Sequence, residues 1–363
     1  MPAKINKPTV LVAPLDWGLG HATRCIPIIH ALVNEGCPVI IAASGSSKQL
    51  LQTEFPHLHY MELFGYNIQY SKSRWLLPFS IIYQIPKIIN AIKNEHRWLN
   101  KIITQYSIDV VISDNRFGLY SNQTTNVFIT HQLTIKAPFS WVEKILRKIN
   151  YHFINRFNEC WIPDTRSEFN IAGDLSHPAE MPDIPAFYIG ILSRFKRDES
   201  ISIKYKYCFL LSGPEPQRTI LQKMILKDIY LLKEKSLIVR GKPNSNKSLE
   251  SSDIIEIKNH LPQNELEQAL QQSEYIICRS GYTSLMEILS LQKKSIVIPT
   301  PGQTEQEYLG ERSHQAHWCF AIEQKNFDLI YSLTSAKRFD YHLPEIKNTD
   351  LQLFIHQFVE KYQ

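Results

Sequence analysis

The chain has 363 residues, 44% of them apolar and 21% charged, with a formal net charge of +5. These proportions exclude a disordered, collagen-like or coiled-coil chain, and the length suggests two domains or one large one. No uncharged apolar run reaches the ~18 residues of a membrane-spanning helix, and Lys4 and Lys7 precede a short β-like run rather than the apolar stretch of a signal peptide.

Strand-like and helix-like segments alternate along the chain. Residues 9–13 read as a buried strand, and 22–34 as a helix with Ile26, Ile29, Leu32 and Val33 on one face. Strand 38–43, a long helical region 79–105, strands 109–113 and 126–130, a basic helix 138–157 and strand 160–162 follow. A last strand at 187–191 runs into the polar stretch 193–204, which marks a domain boundary at 195/196. The pattern then restarts: strand 207–211, helix 217–232, strands 236–239 and 254–257 around a polar loop, and helix 263–272. Strand 275–278, helix 283–291, strand 295–299, helix 305–316 and a last helix 350–362 complete it. Such alternation predicts α/β architecture, with parallel sheets covered by helices. Two repeats predict two Rossmann-like domains facing each other across a cleft: 1–195, and 196–363 with the last helix packing back on the first domain. Ligands bind such sheets beyond the carboxyl ends of the strands.

Charge is concentrated. Residues 66–101 carry six basic residues against Glu95, and residues 134–157 carry five against Glu143, so the remainder of the chain is slightly acidic. Both segments also hold aromatic residues: Tyr70, Trp75, Phe79 and Tyr83 in one, Phe139, Trp141, Tyr151, Phe153 and Phe157 in the other. A basic amphipathic surface suits an anionic membrane or a lipid-linked ligand, and the plain alternative is an ordinary helix with a buried stripe and a solvated basic face. Nucleic acid is not expected as a partner, since no nucleic-acid motif accompanies the charge. The six cysteines form no CxxC pair and sit in apolar runs, as reduced core thiols of a cytoplasmic protein would. No metal site is expected, because clustered ligands are absent from the sequence.

Three glycine-bearing loops follow strands. The first contains Gly18, Leu19, Gly20 and His21. It lacks the third glycine of the dinucleotide fingerprint, which disfavours a nicotinamide enzyme. His21, at the start of a helix, has the chemistry of a general base for a hydroxyl. The second, Ser212-Gly213-Pro214-Glu215-Pro216-Gln217-Arg218, would present backbone N–H groups and a positive helix end to an anion. The third runs from Cys278 through Arg279, Ser280, Gly281, Thr283 and Ser284 to Glu287, a carboxylate able to accept protons from vicinal ribose hydroxyls. A polar loop after strand 295–299 adds Gln303, Glu305 and Gln306, side chains suited to the hydroxyls of a sugar.

On these residues the chain resembles the GT-B nucleotide-sugar glycosyltransferases. It is similar in particular to the family that includes the lipid-II-forming N-acetylglucosaminyl transferase, whose carboxyl-terminal domain is that of glycosyltransferase family 28. The Arg279-Ser280-Gly281…Thr283-Ser284…Glu287 signature carries the resemblance, over roughly 205–335. It implies Glu287 on the donor ribose, Gln306 with Gln303 and Glu305 on the donor sugar, Ser212 and Gly213 near the diphosphate, and His260-Leu261 beside the uracil. Gly18, Gly20 and His21 resemble the family's amino-terminal glycine-rich loop, although DWGLGH and SGPEPQ both depart from the family's more glycine-rich loops.

The reaction so implied moves a hexose or N-acetylhexosamine from a UDP-sugar, a co-substrate rather than a cofactor, to an acceptor hydroxyl, with inversion. His21 is the candidate base, Asp114 the residue that holds it, and His131 the alternative base. Arg279 or Arg218 would steady the leaving diphosphate, and the absence of any DxD sequence fits a metal-independent reaction. The basic aromatic segments suggest a lipid-linked or membrane-proximal acceptor at the inner face of the cell membrane. A nucleotide-sugar epimerase of the same fold and a non-catalytic relative are the competing readings.

Overall fold

The computed structural model describes residues 7–16, 18–66, 77–137, 139–242, 245, 249–346 and 349–362, of which 77–85 by their backbone alone. Residues 67–76 of the first basic aromatic segment, including Tyr70, Lys72, Arg74 and Trp75, lie outside the described residues, as does Trp17.

The chain forms two compact units, Met1–Arg194 with Lys347–Gln363, and Phe195–Ile346. The first unit opens with β1 (Val10–Pro14), α1 (Leu19–Asn34), β2 (Val39–Ala43), α2 (Gly45–Glu54), β3 (His59–Glu62) and α3 (Leu77–Tyr106). It continues with β4 (Val110–Asp114), β5 (Thr125–Ile129), α4 (Ser140–Ile154), β6 (Glu159–Ile162) and β7 (Ala186–Tyr188). Its seven strands are all parallel, in the order β3-β2-β1-β4-β5-β6-β7. Central strands such as β1 (VLVAP) are buried on both faces, so they read as unbroken apolar runs. One core layer packs Leu11, Ala13 and Val111 against Leu99 and Ile103 of α3.

The second unit contains β8 (Tyr205–Leu210), α5 (Gln217–Asp228), β9 (Ser236–Val239), β10 (Ile255–Lys258), α6 (Gln263–Gln271) and β11 (Ser273–Cys278). Then come α7 (Tyr282–Ser290), β12 (Lys294–Val297), α8 (Thr304–Gln315), β13 (Phe320–Ala321) and α9 (Leu329–Arg338). Its six parallel strands follow the order β10-β9-β8-β11-β12-β13. Both units are Rossmann-like, as the alternating elements imply. The last helix, α10 (Leu351–Glu360), belongs to the first unit and packs on α1. Gln352 Nε2 and His356 Nδ1 donate to the two carboxylate oxygens of Glu35, at 2.7 and 2.9 Å.

Four elements escape the sequence pattern: α2, β3, β13 and α9. In α2 only Ser47 and Leu51 are buried, and β3 buries only Met61, so neither leaves an apolar periodicity to read. All six cysteines are free and buried. Burial pushes the Cys160, Cys208 and Cys319 thiols up to about 12, which leaves them inert as core residues. Among the described residues no helix is long and apolar enough to cross a membrane.

Candidate active site

In each sheet the strand order reverses beside the first strand of the unit. The two reversal points are β1/β4 and β8/β11. The crevice beyond the carboxyl ends of strands at such a reversal is where α/β sheets bind ligands. All three glycine-bearing loops of the sequence begin at these strand ends.

In the first unit Gly18, with φ +83°, lets the chain leave β1 and enter α1 at Leu19. That start puts His21 in the first helical turn, three residues earlier than the sequence pattern suggests. Asp114 ends β4 and is paired in register with Pro14 of β1, so the two residues meet at the reversal point. His21 Nδ1 lies 3.2 Å from Asp114 Oδ1. Arg24, one turn on from His21, donates through Nε to Asp114 Oδ2 at 2.8 Å and through Nη2 to Oδ1. Its Nη1 donates to Nδ1 of His131 at 2.9 Å.

The electrostatics follow from this enclosure. Asp114 is fully buried, which by itself would raise its pKa. The charge of Arg24 and the contacts with His21 outweigh burial and hold the carboxyl well below the ordinary carboxylate range. A guanidinium can only donate, so a neutral His131 accepts at Nδ1 and carries its own proton on Nε2. That tautomer has no lone pair left to take a proton, and the residue is 4% exposed. In this arrangement the lone pair of His131 Nδ1 is taken up by Arg24. His21, with a side chain 16% exposed, keeps Nε2 for that purpose when Nδ1–H points at Asp114. Arg24 is the member of the cluster that the sequence reading missed. Its spacing of three from His21 on one helix face is the signal that could have found it.

A second buried cluster braces the end of β1. Arg116 is 0% exposed and donates to Glu95 Oε1 at 2.9 Å, and to the carbonyls of Pro14, Leu63 and Phe64 at 2.8, 3.2 and 3.1 Å. Tyr66 Oη and the Gly118 N–H donate to Glu95 Oε2. Asp16, in the loop itself, accepts from Ser44 Oγ and the Gly65 N–H, at 3.1 and 2.9 Å. Its carboxylate fills the space that a Cβ on residue 65 would need, so that position requires glycine.

In the second unit the loops after β8, β11 and β12 converge. Gly213, at φ +92°, runs beside Thr300 and Arg279: a Cβ there would lie 3.7 Å from Thr300 Oγ1 and 4.0 Å from Arg279 Nε. Ser280 Oγ donates to the carbonyl of Gln306 at 2.7 Å, which ties the start of α7 to the first turn of α8. Gln306 Oε1 accepts from the Thr300 N–H at 2.9 Å, and Glu307 Oε1 from the Gly302 N–H at 3.1 Å. Gln303 caps α8, with Glu305 in its first turn. Gly281 caps α7, and a Cβ on it would meet nothing within 4 Å, so this helix start is open. Thr283 and Ser284 lie half-buried in the first turn of α7, and Glu287, 5% exposed, in the second. Ser212 is half-buried beside Gly213, while His260 (exposed) and Leu261 (buried) follow β10, two strands from β8.

The two arginines expected to face an anion are engaged within the protein. Arg279 is 1% exposed, with Nη1 donating to Ile298 O at 3.1 Å and Nη2 to Gln217 O at 2.9 Å. Burial lowers it to about 10, so it stays cationic at neutral pH. Arg218 pairs with Glu215 at 2.8 Å and donates to Gly241 O. Arg279 thus clamps the loop after β12 to the start of α5 rather than pointing its fork at a ligand. Its Nε, however, is buried without a hydrogen-bond partner, and so is Thr300 Oγ1. Buried polar atoms are rarely left so, and both of these flank Gly213.

Residues 217–340 match the model of the glycosyltransferase family 28 C-terminal domain, and residues 14–135 match that of glycosyl transferase family 1. Among solved structures, MurG of Acinetobacter baumannii is similar at a TM-score of 0.53 and 12% identity, covering 98% of this chain and 99% of that one. The glycosyltransferase SnogD from Streptomyces nogalater gives 0.61 at 10% identity, covering 98% and 100%. UGT89C1 of Arabidopsis thaliana complexed with UDP-L-rhamnose gives 0.58 at 13% identity, covering 98% and 94%. No curated protein sequence matches the chain. With a matched domain in each unit and two parallel Rossmann-like sheets, the chain is a glycosyltransferase of the GT-B type that resembles glycosyltransferase family 28.

Proposed function

We propose that the enzyme transfers a hexose or N-acetylhexosamine from a UDP-sugar to an acceptor hydroxyl, with inversion at the anomeric carbon. His21 Nε2 takes the acceptor proton as the acceptor oxygen bonds to the anomeric carbon, and the bond from that carbon to the diphosphate breaks to release UDP. Asp114 holds the imidazole in the tautomer that leaves Nε2 free, and its negative charge favours the imidazolium as it forms. The loops after β8, β11 and β12 hold the donor. Backbone N–H groups at the open start of α7 stabilise the diphosphate, as helix starts do for anions. Glu287 takes the ribose hydroxyls, Gln303, Glu305 and Gln306 the sugar, and His260 with Leu261 the base.

The observation that carries this reading is the pair of orphaned buried atoms, Arg279 Nε and Thr300 Oγ1, on either side of Gly213. A diphosphate seated against Gly213 offers both of them a partner.

The acceptor proposed is membrane-proximal. Along α4 the apolar side chains of Trp141, Ile145 and Ile149 face outward, 62%, 48% and 51% exposed, and Phe139 precedes them at 62%. Lys144 and Lys148 are exposed between them. The inward face buries Asn150 and Ile154 and half-buries Val142, Leu146, Tyr151 and Phe153, so these outward residues lie on the side turned away from the core. An outward face of this composition suits the interface of an anionic membrane.

Titration calorimetry with UDP, together with UDP release from a panel of UDP-sugars, tests the donor assignment. Saturable UDP binding that Glu287→Ala weakens about tenfold or more, equivalent to about 1.4 kcal/mol, is expected. A chain that binds no uridine nucleotide overturns the reading.

A further inference from the structure

The sequence shows no clustered metal ligands, yet the fold assembles one set in the second unit, away from the three loops described above. His317 follows α8, and Asp340 and His342 follow α9. One ring nitrogen from each histidine and one carboxylate oxygen lie within 4.8 Å of one another.

Three features go beyond proximity. His317 Nδ1 lies 2.8 Å from the carbonyl oxygen of Asp340. A carbonyl can only accept, so Nδ1 carries the proton, and the neutral ring presents Nε2 as a lone pair. This is the arrangement by which metal-binding histidines are fixed in tautomer and orientation. The two segments are also joined through their backbones, His342 N–H donating to the His317 carbonyl at 2.8 Å, with His317 in the left-handed region at φ 58°. The imidazoles lie side by side, their centroids 5.0 Å apart and their planes at 25°.

The platform beneath is anchored. Tyr341, between the two outward ligands, donates to Ser295 O at 3.1 Å and packs on Tyr275, while Phe339 stacks on His317 with centroids 5.3 Å apart. The ligands themselves are accessible, with the side chains of His342 and Asp340 66% and 76% exposed. His342 Nε2 and Asp340 Oδ2 already approach to 3.1 Å. Tetrahedral ligands at ~2.0–2.1 Å from an ion are about 3.3 Å apart, so closure around a metal needs only side-chain movement of an ångström or two.

We propose that His317, Asp340 and His342 form a three-ligand site for a borderline divalent cation such as Zn²⁺, with water completing the coordination. Two imidazoles and one carboxylate suit that class and not Ca²⁺ or Mg²⁺, which take oxygen donors. The ion crosslinks the segment after α8 to the segment after α9, two stretches of chain that the sequence keeps apart. It thereby restrains the far end of the helix whose first turn holds Gln306.

The test uses the full chain stripped of metal with a chelator. Zn²⁺ is titrated by calorimetry and Co²⁺ by its visible absorption, and circular dichroism checks the fold of each variant. One ion per chain is expected at micromolar affinity, with His317→Ala and His342→Ala each weakening it at least about tenfold. The exposed His57→Ala serves as the control and keeps wild-type binding. Absence of uptake at millimolar metal overturns the proposal. So does wild-type affinity in either of the two histidine variants.

Discussion

Arg24 forks onto Asp114, with Nε donating to one carboxylate oxygen at 2.8 Å and Nη2 to the other. The same Nη2 lies 3.0 Å from Nδ1 of His21. Nδ1 can donate to Asp114 or accept from Arg24, but not both, because the carboxylate only accepts and the guanidinium only donates. Only the first arrangement leaves Nε2 able to take a proton. Asp114 and Arg24 therefore compete to set the tautomer of the base.

This competition separates three variants. His21→Ala is expected to lower kcat by about 10²–10⁴ and to leave UDP binding unchanged. Asp114→Asn, which can no longer draw the Nδ1 proton as a carboxylate does, is expected to lower kcat in the same direction with donor affinity preserved. His131→Ala is expected to retain most of the turnover. Steady-state kinetics beside calorimetry reads all three, and a dead His131 variant with an active His21 variant would exchange the two roles.

Arg24→Met leaves a buried carboxylate without its cation, and breaking such a pair costs about 3–5 kcal/mol. The midpoint of urea unfolding measures the loss. The pair also makes stability depend on acid. Asp114 titrates lower in the folded state than in the unfolded chain, so its ionised form adds stability at pH above the ordinary carboxylate range. That contribution is lost as pH falls through the folded value. The Arg24→Met variant should show a smaller loss of stability between pH 5 and pH 3 than the parent, in the same urea titrations.

Glu95 and Arg116 call for a matched pair of substitutions. Glu95→Ala leaves Arg116 buried and unpaired, and about 3–5 kcal/mol of destabilisation is expected. A Glu95→Gln variant, which keeps an acceptor for Tyr66 and Gly118, should lose less. Thermal unfolding of both variants decides whether the cluster acts through charge or through hydrogen bonding.

The docking of α10 depends on pH from both sides, unlike the one-sided dependence of Asp114. Hydrogen bonding to Glu35 raises His356 above its ordinary value, and hydrogen bonding to His356 lowers Glu35. The His356 contribution is complete below the ordinary histidine value and drains as pH rises through the raised one. The Glu35 contribution is present above the ordinary carboxylate value and drains on acidification. The pair is thus strongest between about pH 4.3 and pH 6.5. Hydrogen exchange of α10 amides, corrected for intrinsic rates, should report weaker protection at pH 8 than at pH 6. His356→Ala should abolish the difference.

For the outward face of α4, replacing Trp141 and Ile145 together by Glu should release the protein from anionic vesicles in sedimentation. Raised salt should also weaken the parent's binding, since Lys144 and Lys148 act through screened charge. Vesicle binding that neither change affects would move the membrane contact elsewhere.

What the sequence made legible was what periodicity and strand ends encode. The buried strands announced themselves as apolar runs, and their glycine-bearing ends marked the loops of both units. His21 and Asp114 could be paired because one starts the helix after the first strand-like segment and the other ends a later one. Arg24 could not be read, because a buried arginine looks like any helix cation until its partner is known. For the same reason Arg279 looked like an anion ligand, when most of its fork holds backbone carbonyls. The group of His317, Asp340 and His342 is a product of tertiary structure alone, and β3 and β13 are too short or too exposed to leave a pattern.

The return of α10 to the first unit makes the second unit an insertion within the first. Trp161, wholly buried in β6, has its ring centroid 5.1 Å from Phe354 and 4.9 Å from Phe358. A stop codon placed after residue 346 would spare the downstream fold and instead strip a lid from the upstream one, laying an indole bare. Dissecting this enzyme into halves therefore requires splicing rather than truncation: the amino-terminal piece has to be made from two stretches of gene.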